Sequence, residues 1–262
     1  MTALIRIIKS EIYDLTRSKW LVLYGAFFWG IVDLLWRFGS NGTQVIVSLM
    51  NIVLYIVPLL ILVFCVMYIY NLREYIQLLL TQPIDRKIIY IAIYIGLALP
   101  LCAVFLIGLG MPLIYIQLDP ASHSAFISLL VSGLALTLIF SSLAYLFTTI
   151  FEDRIKGLGA ALFVWLTSTI FYDALVLFIL FAFSDYPLNN TTTILSLLNP
   201  IDLARIFLLL KLDISALMGY TGASFSEFFG NSLGAGISVL AMLVWFFIPL
   251  LIGLRKFIKK DF

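Results

Sequence analysis

The chain has 262 residues, of which 63% are hydrophobic and only 11% are charged. A soluble domain carries roughly 25% charged residues, so no water-soluble fold of this size could bury so much apolar surface, and a lipid bilayer must surround most of the chain. The net charge of +2 is too small to indicate a nucleic-acid partner, and none is predicted.

The first predicted element is an amphipathic helix that lies along the membrane surface without crossing it. Over residues 2–18, apolar residues recur near helical spacing and charged residues occupy the remaining positions. The same charges interrupt the first apolar run, so the segment lacks the continuous core of a signal peptide and is expected to stay on the protein. This interfacial helix falls within residues 1–19.

Six later stretches are long and apolar enough to cross a hydrocarbon core of about 30 Å, which takes about 20 residues of helix. They are residues 20–36, 45–70, 88–116, 125–150, 158–183 and 232–254. Pro58, Pro100 and Pro112 are predicted to kink the second and third spans. Asp33 and Arg37 stand four residues apart near the end of the first span and are predicted to pair.

The lysine and arginine residues determine the predicted orientation. If the N-terminus is in the cytoplasm, 13 of the 16 basic residues fall in cytoplasmic segments, and only Arg37, Arg205 and Lys211 fall outside. This distribution follows the positive-inside rule. The chain is therefore predicted to be a multi-pass membrane protein with both termini in the cytoplasm, and residues 1–262 are interpreted as a single transmembrane domain.

The polar connection after the second span, residues 71–87, is predicted to contain a short amphipathic helix parallel to the membrane. Arg73, Glu74 and Gln77 share one helical face, and apolar residues form the other. The stretch from Pro83 to Arg86 is typical of a turn that opens the next helix. Such a helix is suited to docking a cytoplasmic partner, but a solvated connector has the same pattern, and the residues alone favour neither interpretation.

The longest connection, residues 184–231, falls on the opposite side of the membrane and is slightly acidic. A helical pattern begins near Asp202, shortly after Asn199 and Pro200. Asp202 and Arg205, three residues apart, are candidates for anchoring a polar docking surface for an extracytoplasmic partner. The alternative is a local ion pair in the first turn of a helix.

Asp173 is the most anomalous residue, because it lies inside the predicted fifth span. A carboxylate in a span costs about 2.5–3.5 kcal/mol on insertion scales, so its side chain is expected to face the protein interior or water. In one interpretation it lines a transport pathway or pairs across a subunit interface. In the other it is a protonated or hydrogen-bonded packing residue, with Thr167, Thr169 or Tyr172 as example partners.

The sequence contains no catalytic or nucleotide-binding motif. It lacks the P-loop pattern G-x-x-x-x-G-K-[ST], the H-E-x-x-H zinc motif and the G-x-S-x-G nucleophile motif. We therefore predict that the chain is not an enzyme and binds no cofactor or metal. A copper site on the outer side, built from His123, Met111 and Met218, is the weaker alternative. Cys65 and Cys102 are predicted to be buried apolar residues.

Several stretches taken together resemble the ABC-2 type permeases, the membrane subunits of ABC transporters whose ATPase is a separate chain. Leu78–Arg86 resembles the LLL-x-x-P-x-x-R segment after the coupling helix, Phe163–Leu177 resembles a fifth span with an acid, and Leu197–Ile206 resembles an LLNP-x-D-x-x-R outer motif. Within the family, these motifs are similar to those of permeases that serve copper delivery to nitrous oxide reductase. One departure is that Arg73–Gln77 keeps Glu74 but lacks the family's E-x-G-T signature.

The resemblance implies an all-α membrane fold with six transmembrane helices and three further features. These are an N-terminal amphipathic elbow helix at residues 1–19, a cytoplasmic coupling helix within residues 71–87, and extracytoplasmic helices within residues 184–231. The implied partners are a second copy of the chain, a pair of cytoplasmic ATPases that hold ATP and Mg²⁺, and a periplasmic copper-handling protein.

The resemblance also assigns roles to individual residues. ATPase coupling is expected from Arg73, Glu74, Gln77, Pro83 and Arg86. Docking of the periplasmic partner is expected from Asn199, Pro200, Asp202 and Arg205. Two other functions stand as alternatives: an ABC-2 exporter of an unrelated substrate such as a drug, lipid or peptide, and a non-transporting membrane scaffold.

Overall fold

A computed structural model describes residues 2–39, 42–116, 120–183, 194–211 and 232–260, and within these ranges the chain is helical almost throughout, with no β-strand. The helices in chain order are α1 (Thr2–Thr16), α2 (Lys19–Phe38), α3 (Gly42–Asn71), α4 (Arg73–Leu80), α5 (Arg86–Gly110), α6 (Pro120–Ile150), α7 (Arg154–Leu166), α8 (Tyr172–Ala182), α9 (Pro200–Lys211) and α10 (Ser232–Lys259). A 3-10 turn, Met111–Ile114, extends α5, and a π-helical turn, Thr167–Phe171, joins α7 to α8.

Six helical stretches in the described ranges are long and apolar enough to cross a membrane. They are Lys19–Phe38, Gly42–Asn71, Arg86–Ile114, Ser122–Ile150, Arg154–Ala182 and Gly236–Lys259. Each coincides with one predicted span, which confirms the all-α fold with six spans. Several extend beyond the apolar stretch because polar residues such as Asn71 and Arg86 continue the helix into the membrane interface.

Helix α1 forms where an amphipathic helix is predicted, and it packs against α5. Its Glu11 is buried, and the hydroxyl of Tyr68 on α3 donates a 2.8 Å hydrogen bond to that carboxylate. Gly96 on α5 permits the approach, because a side chain at this position would collide with the Cβ atom of Glu11. Burial raises the pKa of Glu11. Helix α1 is therefore fixed to the bundle by a buried polar contact, while its role as an elbow stays a prediction.

The connections between spans alternate between the two ends of the bundle. At one end, Arg73 contacts the backbone of Phe151 and Glu152, and Arg86 contacts the backbone of Ile258. The α3–α5 connection, the α6–α7 connection and the end of α10 therefore lie together. We call this the basic end, because the Lys and Arg residues of these connections collect there.

At the opposite end of the bundle, α2 contacts the turn that follows α5. The hydroxyl of Tyr115 donates a 3.0 Å hydrogen bond to Asp33. Asp33 also forms an ion pair with Arg37, with 2.7 Å between Oδ2 and Nε, which confirms the predicted pair. Because the Arg37 side chain is 71% exposed, this pair contributes little to stability.

Spans α3, α5 and α6 form the core of the bundle. In the most apolar 18 residues of each of these spans, between 50% and 67% of the residues are buried. The corresponding share is 22% for α2, 17% for the span in α10 and 6% for Arg154–Ala182. Inside the core, the rings of Tyr90 on α5 and Tyr145 on α6 stack at 4.3 Å. The peripheral spans thus present most of their apolar surface outward, to lipid or to another protein chain.

Helix α9 lies among the spans. It packs against α6, α3 and α10, and its Arg205 reaches Tyr55 on α3. Tyr55 precedes Asn71, the last residue of α3, by 16 positions, or about 24 Å of helix. Tyr55 is thus near the middle of α3, so α9 lies alongside the membrane-spanning part of the bundle and not beyond its end. The predicted outer segment thus includes a helix that enters the membrane layer, while its residues 184–193 and 212–231 lie outside the described ranges.

Candidate functional site

A cluster of charged and polar side chains joins α3, α8 and α9. The guanidinium of Arg205 binds both carboxylate oxygens of Asp173 on α8, at 3.1 and 3.2 Å. It also pairs with Asp202 at 3.0 Å and donates a 2.9 Å hydrogen bond to the hydroxyl of Tyr55. A planar guanidinium suits this two-point contact with a carboxylate, which fixes direction as well as distance. Arg205 therefore links α9 to two spans at once.

Asn199 positions the first turn of α9. Its side-chain oxygen accepts a 3.1 Å hydrogen bond from the backbone N–H of Ile201, as an N-cap residue does, and Pro200 follows at the first helical position. Its side-chain nitrogen donates to Asp202 at 3.2 Å and to the backbone carbonyl of Ser168 at 2.8 Å. These contacts orient Asp202 toward Arg205.

The Ser168 carbonyl belongs to the π-helical turn between α7 and α8. Such turns leave backbone carbonyls poorly paired within the helix, and they occur frequently at functional sites. Asn199 supplies a donor for one of these carbonyls, and the hydroxyl of Tyr172, just after the turn, donates to the carbonyl of Leu195. Residues just before α9 thus form hydrogen bonds with the irregular turn of the fifth span and with the residue that follows it.

The cluster holds two carboxylates and one guanidinium. The side chains of Arg205, Asp173 and Asp202 are 22%, 32% and 11% exposed. Partly buried charges of this kind persist only when each has a partner, because an unpaired charge in a low-dielectric layer is strongly unfavourable. Loss of Arg205 would leave two carboxylates facing each other.

The structure answers the two questions that the sequence left open about these residues. Asp173 is a hydrogen-bonded residue, but its partners are Arg205 and Tyr55, so the prediction of Thr167, Thr169 or Tyr172 as partners is wrong. The hydroxyls of Thr167 and Thr169 bind backbone carbonyls one helical turn earlier. Tyr55 was not predicted, since one tyrosine among 13 gives no signal of its own.

Asp202 and Arg205 form the predicted local ion pair. Asn199, Pro200 and Asp202 are buried, and their side chains contact the fold around α9. Their part in docking a periplasmic protein stays a prediction, and the geometry favours an indirect role in which they set the position of α9.

A second group of contacts fastens the α4 segment at the basic end. The guanidinium of Arg73 donates to the backbone carbonyls of Glu152, Phe151 (2.8 Å) and Thr148 (3.4 Å). It also lies 4.5 Å from the ring centre of Tyr70, whose hydroxyl donates to the Phe151 carbonyl at 2.9 Å. The last carbonyls of a helix have no partner within it, and a cation is favourable there. Arg73 thus donates hydrogen bonds to carbonyl groups at the end of α6 that have no partner within the helix.

The far end of the same segment is tied to α10. Arg86 donates 2.9 Å hydrogen bonds to the backbone carbonyls of Ile258 and Lys260. The ammonium of Lys260 in turn lies 3.3 Å from the carbonyl of Thr149 and 3.4 Å from the carboxylate of Glu152. Residues 73–86 therefore form a strap whose two ends bind the ends of α6 and α10, and we call it the α4 strap.

The five residues expected to couple to an ATPase divide into two groups. Arg73 and Arg86 are engaged with this chain's own backbone, whereas Glu74, Gln77 and Pro83 are exposed. The face that carries Glu74 and Gln77 is opposite the buried Ile76 and Leu79, as the amphipathic pattern predicts. Contact of these residues with an ATPase stays a prediction.

Among the described residues, no group of three or more His, Cys, Asp and Glu side chains is arranged to hold a metal ion. Of the alternative copper site, His123 and Met111 are both exposed, and Met218 lies outside the described ranges. Cys65 is buried, as predicted, and Cys102 is partly buried.

Comparison with known proteins places these features in context. The family model for ABC-2 family transporter proteins matches residues 37–262, which include the α4 strap and the charge cluster. The chain is 28% identical to "Probable ABC transporter permease protein NosY" of Stutzerimonas stutzeri over 257 residues, which cover 91% of this chain and 90% of the relative. It is 27% identical to the protein of the same name from Pseudomonas aeruginosa over 230 residues, which cover 81% of this chain and 84% of the relative.

Proposed function

The chain belongs to the ABC-2 family of transporter proteins, and from this premise we propose that it couples ATP hydrolysis by a separate ATPase to a periplasmic copper-handling protein, for maturation of the copper sites of nitrous oxide reductase. Its similarity to two NosY permeases and its Leu197–Ile206 motif support this role. ATP and Mg²⁺ would be bound by the ATPase, and this chain would contribute no catalytic group.

The proposed orientation places the basic end in the cytoplasm of a bacterium and the α9 side toward the periplasm. The clustering of Arg73, Arg86, Arg154 and Lys260 at one end supports it, because positively charged connections are retained on the cytoplasmic side of the inner membrane. Both termini would then be cytoplasmic.

A second copy of the chain completes the proposed membrane unit. The spans α2, α7–α8 and α10 are mostly unburied within one chain. Part of this apolar surface would face lipid, and part would pack against the second copy, as in most symmetric homo-oligomers.

The α4 strap is the observation that carries the proposed coupling. A pair of cytoplasmic ATPases would bind the exposed face with Glu74, Gln77 and Pro83. Movement of that face on ATP binding would pull on Arg73 and Arg86, which hold the ends of α6 and α10. The strap would thus transmit movement of the ATPase as a displacement of two spans.

The charge cluster extends the same path to the opposite side. Helices α6 and α10 both pack against α9, and Arg205 binds α9 to α8 and α3. A shift of the spans would therefore move α9 and the outer segment around it. In this proposal Asn199, Pro200, Asp202 and Arg205 position the segment on which the periplasmic copper-handling protein docks.

The second candidate is an ABC-2 exporter of an unrelated substrate. It is favoured by the breadth of the family match, which covers the transporter fold and not the copper role. The two candidates differ in a measurable way. Only the first predicts that nitrous oxide reductase lacks copper when this chain is deleted.

The test is the variant Glu74→Arg, made in the full chain and expressed with its ATPase in a strain from which the chromosomal copy is deleted. Reversing the acid on the exposed face should lower the yield of co-purified ATPase at least tenfold and leave the reductase without its copper complement. Metal analysis of the purified reductase provides the second measurement.

The matched control is Asp14→Arg, the same charge reversal at an exposed acid of α1, which should leave both measurements unchanged. Normal ATPase yield with Glu74→Arg would contradict the docking role. A reductase with full copper content in the deletion strain would overturn the copper function and leave the exporter.

A further inference from the structure

Glu11 is an acid in the buried stripe of α1. Its side chain is 2% exposed, and Ile7 and Leu15, one helical turn before and after it, are buried as well. The other acid of this helix, Asp14, is exposed. The basic residues on either side of Glu11 in the sequence are also exposed, and they are Arg6, Lys9, Arg17 and Lys19. The pattern of α1 places its charged residues on the outward face, and Glu11 is the exception.

Within the described part of the chain, no cation contacts the carboxyl group of Glu11. Its hydrogen-bond partner is the hydroxyl of Tyr68 on α3, at 2.8 Å. The other titratable groups that interact with it electrostatically are Asp14 of α1, Tyr75 of α4 and Tyr145 of α6. None of these groups is positively charged. The hydroxyls of the α5 tyrosines, Tyr90 and Tyr94, bind α10 and α6 instead.

An ionised carboxylate is unfavourable at this position. Its two oxygens can accept about four hydrogen bonds, whereas Tyr68 supplies one. Gly96 of α5 packs so closely that a Cβ atom there would lie 2.5 Å from the Cβ atom of Glu11. A buried charge without a compensating partner is costly, and the group takes up a proton instead. Burial accordingly raises the pKa of Glu11.

We propose that Glu11 is a proton-binding site that controls the docking of α1. The helix packs against α3 and α5 with Glu11 protonated, and loss of this proton releases the helix. A tyrosine hydroxyl both donates and accepts hydrogen bonds, so the contact with Tyr68 is compatible with the protonated acid. In the released state the carboxylate meets water, where its charge is favourable. The proton is exchanged with the water at the basic end.

Release of α1 also removes a support from the start of the α4 strap. Tyr68 and Tyr75 stand on either side of Arg73 in the chain, and both contact α1. Tyr68 binds Glu11, and the hydroxyl of Tyr75 forms a hydrogen bond with the side chain of Ser10. The proton on Glu11 therefore determines whether α1 holds this part of the strap in place.

The experiment follows hydrogen exchange of the α1 amides in the full chain in detergent, corrected for the intrinsic exchange rate, across a series of pH values. The bound proton stabilises the docked helix fully below the pKa of an unburied glutamate, about 4.3, and this stabilisation is lost as the pH rises through the raised pKa of the docked state. Between these limits, exchange should increase by up to about tenfold per pH unit.

The decisive variant is Glu11→Gln, which copies the neutral acid in shape and hydrogen bonding. Its α1 exchange should not depend on pH, and in mildly alkaline buffer its α1 should be at least as protected as in the native chain. Tyr68→Phe removes the donor that favours the ionised form, so the increase in exchange should move to higher pH.

Two controls separate charge from packing. Asp85→Asn neutralises an exposed acid at the start of α5 and should keep the native pH dependence. Gly96→Ala should expose α1 at every pH, because its clash with Glu11 does not depend on charge.

A Glu11→Gln protein whose α1 is less protected than that of the native chain in mildly alkaline buffer would overturn the proposal, because the ionised acid would then be the docked form. Exchange of the native α1 that does not change with pH would overturn it as well. Neither measurement involves the ATPase or copper, so the result is independent of the proposed transporter function.

Discussion

At the scale of single residues, Arg205 has the most consequential position in the structure. Its guanidinium serves Asp173, Asp202 and Tyr55, which come from three different helices. Breaking a buried ion pair by removing one partner costs far more than the pair itself contributes, because a charge is left without compensation. The cluster is therefore more sensitive to loss of the cation than to loss of any one hydrogen bond.

We predict that Arg205→Met destabilises the purified chain by about 3 kcal/mol, because two carboxylates lose their shared cation in a low-dielectric layer. The matched control is Arg37→Met, which removes the mostly exposed cation that pairs with Asp33 and should cost less than about 1 kcal/mol. Melting curves in detergent measure both.

The conservative variant sharpens this test. Arg205→Lys keeps the charge but loses the two-point contact with Asp173, so its melting temperature should fall between those of the native chain and Arg205→Met. Equal stability of the Arg205→Met and Arg37→Met proteins would show that the cluster contributes no more than a surface pair.

The sequence identified part of this cluster and missed the rest for a physical reason. Asp173 is anomalous in any apolar span, and the spacing of Asp202 and Arg205 indicates a local ion pair. The contacts from Tyr55 to Asp173 and from Arg205 to Tyr55 join residues 118 and 150 positions apart. Periodicity describes one helix at a time and carries no information about which helices meet.

At the scale of elements, the α4 strap has an exposed face and two tied ends, which the sequence did not separate. The amphipathic pattern predicts its exposed and buried faces, and the structure shows both. The ties at its ends could not be predicted, because Arg86 and Ile258 are 172 positions apart and the acceptors are backbone carbonyls, which look alike in every sequence.

We predict that Arg73→Gln uncouples the transporter without releasing the ATPase. The exposed face with Glu74 and Gln77 remains, so ATPase co-purification should be normal and ATP hydrolysis should continue. The end of α6 loses its cation, so copper loading of the reductase should fall at least tenfold.

The control for this variant is Lys87→Gln, which neutralises an exposed basic residue next to Arg86 and should leave copper loading unchanged. If Arg73→Gln lost its ATPase instead, Arg73 would be a docking residue, and the division of the strap into an outer face and inner ties would be wrong.

At the scale of the whole molecule, the six-span fold follows from composition with little further information. Length and apolarity select the spans, and basic residues mark the connections, so each span was located to within a few residues. The penetration of α9 into the membrane layer was not foreseen, because twelve residues, Pro200–Lys211, are too few to cross a bilayer and their pattern resembles that of any short amphipathic helix.

The orientation gives a whole-molecule prediction. In a chain without Cys65 and Cys102, single cysteines at Lys156 and Lys211 should react with a membrane-impermeant maleimide from opposite sides of intact cells and inverted vesicles. Lys156 lies near the start of the fifth span at the basic end, and Lys211 ends α9. Labelling of both positions from one side would overturn the proposed topology.

The basic residues of the connections have two roles, and this limits which substitutions the chain can accept. In the proposed orientation, Arg73, Arg86 and Lys260 contribute to the charge bias that directs membrane insertion, and the same side chains donate hydrogen bonds to backbone carbonyls near helix ends. Neutralising these residues in order to invert the insertion would also remove the hydrogen bonds that hold the helix ends together. A substitution at one of these positions therefore changes both the charge that directs insertion and the contacts that hold the helices together. These positions should tolerate fewer substitutions than residues with only one of the two roles.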